Sequence, residues 1–156
     1  MSPGFEDRLN LPELGACACS QVRRTARKLS LFYDAALATA GLTVTQYALL
    51  VNISRAGKVS HTALAAKVGM DRTTLTRNLR PLIKDKLIAT AAGEDRREHL
   101  LGLTARGSRK LQEALPLWEN AQRQFIAQMG DGPLQRLREL LASAESAAAK
   151  ASDLVI

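Results

Sequence analysis

The sequence predicts a mainly α-helical chain of six helices, broken past its midpoint by one small β-hairpin. Three observations carry this reading. Apolar residues recur at intervals of three and four along most of the chain, and residues suited to helix starts (Asn10, Thr43, Ser60, Asp71, Thr104, Asp131) precede those runs. Leu87-Ile88-Ala89-Thr90 and Glu98-His99-Leu100-Leu101-Gly102-Leu103 then read as two strands around the turn-rich Ala91-Ala92-Gly93-Glu94-Asp95-Arg96-Arg97. The 156 residues suffice for one domain with a sizeable core, and 1–156 is read as one.

The first helix is expected from about 11 to 40, opened by Asn10-Leu11-Pro12-Glu13 and closed by Gly41. At about 45 Å it is too long for a small domain to cover on every side. Part of its apolar stripe should therefore meet another subunit. Thr43-Val44-Thr45-Gln46 is a capping box that opens the second helix, which runs through Tyr47, Leu50 and Ile53 to Gly57. Ser60 caps the third helix and Asp71 the fourth, with Gly69 in the turn between them. Pro81 should kink the fourth helix or end it early, since it lacks an amide proton and crowds the carbonyl of Arg77. Thr104 caps a long fifth helix to about Met129, bent at Pro116. Gly130-Asp131-Gly132-Pro133 breaks it, and Asp131 caps the sixth.

The third and fourth helices carry the clearest chemistry. Leu64, Ala65 and Val68 give the third an apolar face, and Leu75, Leu79 and Leu82 turn inward from the fourth. That leaves Arg72, Thr73, Thr76, Arg77 and Arg80 in a row toward solvent. Guanidinium forks hold guanine by two bonds, and threonine meets a phosphate or a thymine methyl, so the row suits the DNA major groove. Thr73, Thr74, Thr76 and Arg77 are the expected readers, with Ser60, Thr62, Arg72, Arg80 and Lys84 as further contacts. The bland alternative is a solvated helical hairpin with ordinary surface charge. A helical hairpin followed by a β-hairpin with a basic tip makes a winged helix-turn-helix. Arg96 and Arg97 would enter the flanking minor groove, and Asp95 would pair with a neighbouring arginine to aim the wing.

Composition agrees. The formal net charge is +7 and the pI about 9.9, which favours polyanions. Ten of the basic residues (Arg72, Arg77, Arg80, Lys84, Lys86, Arg96, Arg97, Arg106, Arg109 and Lys110) fall between positions 70 and 110. Aromatics are few, so duplex DNA is a better target than stacked single strands. No apolar stretch reaches membrane-spanning length, and Met1-Ser2-Pro3-Gly4-Phe5-Glu6-Asp7-Arg8 lacks the apolar core of a secretion signal. A cytoplasmic protein without membrane partners is expected, its two cysteines thiols at rest. The sequence holds no phosphate-cradling glycine loop, no metal-ligand pair beside His61 or His99, and no nucleophile with a nearby base. Neither an enzyme nor a cofactor is expected.

Taken in order, Gly41-Leu42-Thr43 with Gln46, Leu64-Ala65 through Arg77, Asp95-Arg96-Arg97, and Leu103-Thr104-Ala105-Arg106-Gly107 resemble the multiple-antibiotic-resistance regulator (MarR) family. The resemblance runs from about Cys19 to Gly107 and, by helix layout, to the C-terminus. It implies a homodimer on a palindromic operator, usually a repressor released by a small ligand, such as a phenolic acid, or by oxidation. The DNA-reading winged helix would be about 43–103, with dimerisation helices at about 10–40 and 104–151. The joining residues would be Leu11, Leu14 and Ala18 on the first helix and Leu134, Leu137 and Leu141 on the last. Two copies would meet half-sites roughly 34 Å apart. The chain departs from the family pattern at Pro81 and at Lys86, which stands where a glycine is usual. The turn before Leu87 is therefore expected to use a different backbone state.

Cys19 lies at the spacing from Thr43 where the peroxide-sensing branch of the family keeps its reactive cysteine, and Tyr33 matches a tyrosine that engages it there. Arg23 and Val44 replace two further tyrosines. A thiol-based oxidant sensor acting through Cys19 is thus one alternative, and inert helix-packing thiols the other. Cys17 and Cys19, two apart on a helix, should point to opposite sides and not pair with each other. Phe32, Tyr33 and Trp118 are candidates for an effector cleft, or for plain core. A winged-helix module that docks protein instead of DNA is a further alternative.

Overall fold

The computed structural model describes residues 17–93 and 99–152. Helix α1 (Ala18–Leu37) continues into a 3-10 turn (Ala38–Ala40), followed by α2 (Val44–Ala56), β1 (Lys58–Ser60), α3 (His61–Val68) and α4 (Arg72–Lys84). Then come β2 (Ile88–Ala92), β3 (His99–Leu103), α5 (Ala105–Met129) and α6 (Asp131–Ser152). The sheet is antiparallel in the order β1-β3-β2, with Ile88 opposite Leu103 and Ala92 opposite His99. This is the expected winged helix of six helices, enlarged by β1. That strand pairs Val59 with Leu101 and is too short to show a periodicity of its own.

The helix starts obey local chemistry. Thr43 and Gln46 form a reciprocal capping box on α2, Ser60 accepts from the Ala63 amide on α3, and Thr104 accepts from the Gly107 amide on α5. Asp34 on α1 adds a bond that spacing does not reveal: its carboxylate accepts from the Val44 amide at 2.6 Å, tying α1 to the start of α2. Asp131 is the first residue of α6 rather than its cap.

Three helix ends share one device. After the turn at Ala40, after α3 and after α4, the residue beyond the cap takes a left-handed backbone, and paired bonds run back to the last carbonyls. Gly41 (φ 67°) and Gly69 (φ 64°) serve the first two. Lys86 serves the third at φ 57°, with its amide on the Ile83 carbonyl and the Leu87 amide on that of Leu82. The expectation that lysine would force another backbone state is therefore corrected. The chain keeps the glycine-like geometry, held by those two bonds and by burial of Leu82 and Leu87. Pro81 does not end α4 early either. The helix runs on to Lys84, because proline near a helix end interrupts only the bond to the Arg77 carbonyl. Likewise α5 is continuous through Pro116.

The core gathers where α2, α3 and α4 meet the sheet and the start of α5. Leu37, Leu49, Leu50, Ile53, Leu64, Leu75, Leu79, Leu82 and Leu101 are fully buried there. Each contributes about 1.5–3 kcal/mol as an upper estimate. Gly107 lets α5 press on the strand start: a Cβ there would collide with the Leu87 carbonyl. The Thr104 hydroxyl donates to the Lys86 carbonyl at 2.7 Å, closing the same corner.

Candidate nucleic-acid interface

Helix α4 is held at both ends and along one face. At its start, Asp71 accepts from the Thr74 amide (2.8 Å) and the Thr74 hydroxyl (2.6 Å), and these bonds hold its carboxyl below the usual carboxylate range. At its end stands the Lys86 turn. Leu75, Leu79 and Leu82 bury the inner face. The opposite face is free. Thr73, Thr76, Arg77 and Arg80, spaced i, i+3, i+4 and i+7, are exposed in one stripe, flanked by Arg72 and Lys84.

The charges on that face have no carboxylate partner among the described residues. The only ion pair among those residues is Lys110–Glu113, and Arg72, Arg77, Arg80 and Lys84 take no part in it. His61, the first residue of α3, lies within electrostatic range of Arg72 at the start of α4. Burial, then the nearby Arg72 charge, lowers its pKa, and its buried Nδ1 has no hydrogen-bond partner among the described residues. Thr62 is exposed on α3, while Ser60 is half-buried with its oxygen engaged in the cap.

The three threonines are not equivalent. Thr74 is half-buried and its hydroxyl proton belongs to Asp71. The Thr76 hydroxyl donates back to the Arg72 carbonyl at 2.8 Å. Thr73 alone has its hydroxyl unengaged by any described residue. Strands β2 and β3 form the base of the wing, whereas Asp95, Arg96 and Arg97 lie outside the described residues, as do Leu11 and Leu14.

A cavity of about 750 Å³ opens between α2 and α5. Trp118 stacks on Tyr47 at 5.8 Å and 20° on one side, with Val44, Val51, Leu111 and Leu115 as apolar lining and Arg55, Asn52 and Gln112 as polar lining. Burial, then Glu119, raises the Tyr47 pKa, partly offset by Arg55. Of the expected cleft aromatics only Trp118 lines this cavity. Phe32 and Tyr33 instead cluster with Phe125, at centroid distances of 5.1–6.4 Å, and Tyr33 donates to Gln122 at 2.7 Å. Tyr47 and Arg55 escaped sequence reasoning because both read as ordinary helix positions.

Both cysteines are exposed. Cys17 caps α1 from outside with an extended backbone, and Cys19 sits one residue inside. The expectation that both lie within the helix, on opposite sides, is corrected for Cys17. No cluster of His, Cys, Asp or Glu among the described residues has the layout of a metal site. No single described helix is long and apolar enough to cross a membrane.

Comparison with known proteins assigns the class. The MarR family profile matches residues 40–98, from the last residue of the 3-10 turn to the residue before β3. The Mycobacterium tuberculosis transcriptional regulator MosR, solved in complex with DNA, is 43% identical. That match covers 86% of this chain and 98% of MosR at a TM-score of 0.78. A probable transcriptional regulator from Pseudomonas aeruginosa is 26% identical over 84% of this chain and 98% of its own, at a TM-score of 0.75. The PcaV regulator of Streptomyces coelicolor, solved with its natural ligand, shares the fold at 20% identity and a TM-score of 0.78, covering 90% of this chain and 99% of PcaV. No curated protein sequence matches. The chain belongs to the MarR family of winged-helix, DNA-binding transcriptional regulators.

Proposed function

We propose that this regulator works as a homodimeric repressor on a palindromic operator, and that a small ligand releases it. The observation that carries DNA reading is the exposed stripe Thr73, Thr76, Arg77 and Arg80, with Arg72 and Lys84 beside it, whose charges have no carboxylate partner among the described residues. Arg77 reads a base edge; Arg72, Arg80, Lys84, Ser60 and Thr62 contact the backbone; Arg96 and Arg97, aimed by Asp95, serve the wing. Exposed apolar side chains support pairing. Leu31 and Leu140 are 70% and 64% exposed, and Val22 and Leu141 add to the same terminal helices. Ala18 and Leu137 join them at the interface, whereas Leu134 already packs within its own protomer. Release is assigned to the α2–α5 cavity, whose stacked Tyr47–Trp118 pair suits a planar ring and whose Arg55 suits an acid group, a phenolic acid among them.

The test is selection of bound sequences from random duplex DNA, followed by titration of the selected duplex over a range of salt. A palindrome is expected, with affinity falling steeply as salt rises because phosphate contacts release counterions. Affinity that ignores salt would favour a protein-docking module instead. The exposure of Cys19 favours one second reading, release by oxidation. Weaker operator binding after peroxide, absent in Cys19→Ser, identifies it.

A further inference from the structure

The hydroxyl groups on α4 are already partly spent, which limits what each threonine offers a groove. Thr74 gives its proton to Asp71 and its amide to the same carboxylate, so it belongs to the cap. Thr76 gives its proton to the Arg72 carbonyl one turn back, a bond within one helix that needs no partner molecule. What Thr76 presents outward is therefore a γ-methyl and oxygen lone pairs, with no free donor. While it keeps that bond the hydroxyl does not donate to guanine O6 or N7, to thymine O4 or to a phosphate, and its lone pairs only accept, as from adenine N6 or cytosine N4. In the major groove the remaining match for a methyl is the C5-methyl of thymine. Resting on the DNA-reading function above, we propose that Thr76 is a specificity-determining residue that selects thymine in each half-site by methyl-to-methyl contact. Its hydroxyl serves the helix. Arg77, next on the same stripe, supplies the fork for a neighbouring base, and Thr73 keeps the one uncommitted threonine hydroxyl for the backbone or a base.

The experiment uses the full-length wild type, Thr76→Val and Thr76→Ser. The probe is the palindrome that the wild type selects from random duplex DNA, in versions where symmetry-related thymines are replaced one pair at a time by deoxyuracil. Uracil lacks only the C5-methyl. One pair is expected to weaken wild-type binding about fourfold per half-site, the value of one buried methyl-sized group. Thr76→Ser, which keeps the hydroxyl and drops the methyl, should lose the same factor on the thymine palindrome and nothing further on the uracil one. Thr76→Val, which keeps a methyl and drops the hydroxyl, should stay within about twofold of wild type and retain the uracil penalty, since only hydrophobic contact is at stake. Urea unfolding midpoints control for folding in all three proteins. A tenfold loss in Thr76→Val with Thr76→Ser intact would show that the hydroxyl does the reading and overturn the proposal. So would a uracil penalty that Thr76→Ser leaves unchanged, or a selected palindrome without thymine. A wild type that selects no sequence at all would instead overturn the DNA-reading function on which the proposal rests.

Discussion

Lys86 holds a left-handed backbone that its side chain disfavours, and Gly69 holds the same conformation in the equivalent turn after α3. The two positions make a matched test of what the turn costs. A side chain at positive φ costs about 1–2 kcal/mol. Glycine returns about 0.4–1 kcal/mol of that through the extra freedom of its unfolded chain. Taken at mid-range, glycine should therefore exceed alanine at either position by about 0.8 kcal/mol, and by no more than about 1.6 kcal/mol. No crowding complicates Gly69, where an added Cβ meets nothing within 4 Å. At position 86 the charge matters separately, because lysine at a helix C-terminus gains a few tenths of a kcal/mol from the dipole. The comparison is accordingly Lys86→Gly against Lys86→Ala, which share the loss of charge. Urea unfolding at one fixed protein concentration measures the difference, since an assembling protein's stability depends on concentration. The expected gap between the two variants equals that between wild type and Gly69→Ala, and should appear as a shift of about 1–6 °C in Tm. Equal stability of the glycine and alanine variants at position 86, with a clear gap at 69, would refute the reasoning.

Gly107→Ala should destabilise by about 1–3 kcal/mol or prevent folding, because its methyl meets the Leu87 carbonyl; urea midpoints decide, and a change within about 0.5 kcal/mol would contradict the packing. Arg77→Ala should cost about 1–3 kcal/mol on the selected operator and relax the preference at one base pair, whereas Lys84→Ala should weaken operator and random duplex alike; competition binding separates the two. Asp71→Ala should lower stability near neutral pH. The folded carboxyl titrates below its unfolded value, so its contribution is present above the ordinary carboxylate range and disappears as pH falls through the depressed folded pKa. Unfolding curves of wild type and Asp71→Ala should converge in strong acid and stay apart at pH 7. Trp118→Ala should abolish ligand-induced release from the operator while leaving ligand-free binding intact, as measured by anisotropy with a panel of aromatic acids.

The parts of the fold legible in the sequence are those fixed by neighbours in sequence. Thr43 with Gln46, Ser60, Asp71 and Thr104 each cap a helix through an amide three residues on, so spacing alone finds them. The inward leucines of α4 follow from the helical period. Distant partners decide the rest. Strand β1 exists because β3 offers it Leu101, and Lys86 holds its turn because Leu82 and Leu87 are both buried beneath it. The cavity joins Trp118 to Tyr47 rather than to Phe32 or Tyr33, because the rotation of α5 against α1 and α2 is set by packing. The exposed stripe of α4 was legible by residue type and spacing. The commitment of the Thr74 and Thr76 protons was not, since a hydroxyl's partner depends on its rotamer.

The groups that hold α4 in place are Asp71 with Thr74 at its start, the buried leucines along it, and the Lys86 turn closed by Thr104 and Gly107 at its end. Thr73, Arg77, Arg80 and Lys84 belong to none of these, and their side chains bond to no other described residue. Substitutions there alter what the face offers a groove at little cost in folding, because exposed helix positions tolerate most residues. Thr76 stands between the two sets: its hydroxyl bonds within the helix while its methyl faces out. Valine at position 76 therefore keeps the methyl and removes the hydroxyl's bond to the Arg72 carbonyl together with its lone pairs, whereas serine keeps the hydroxyl and removes the methyl. The same pair of substitutions that tests base reading also separates holding from reading within a single side chain.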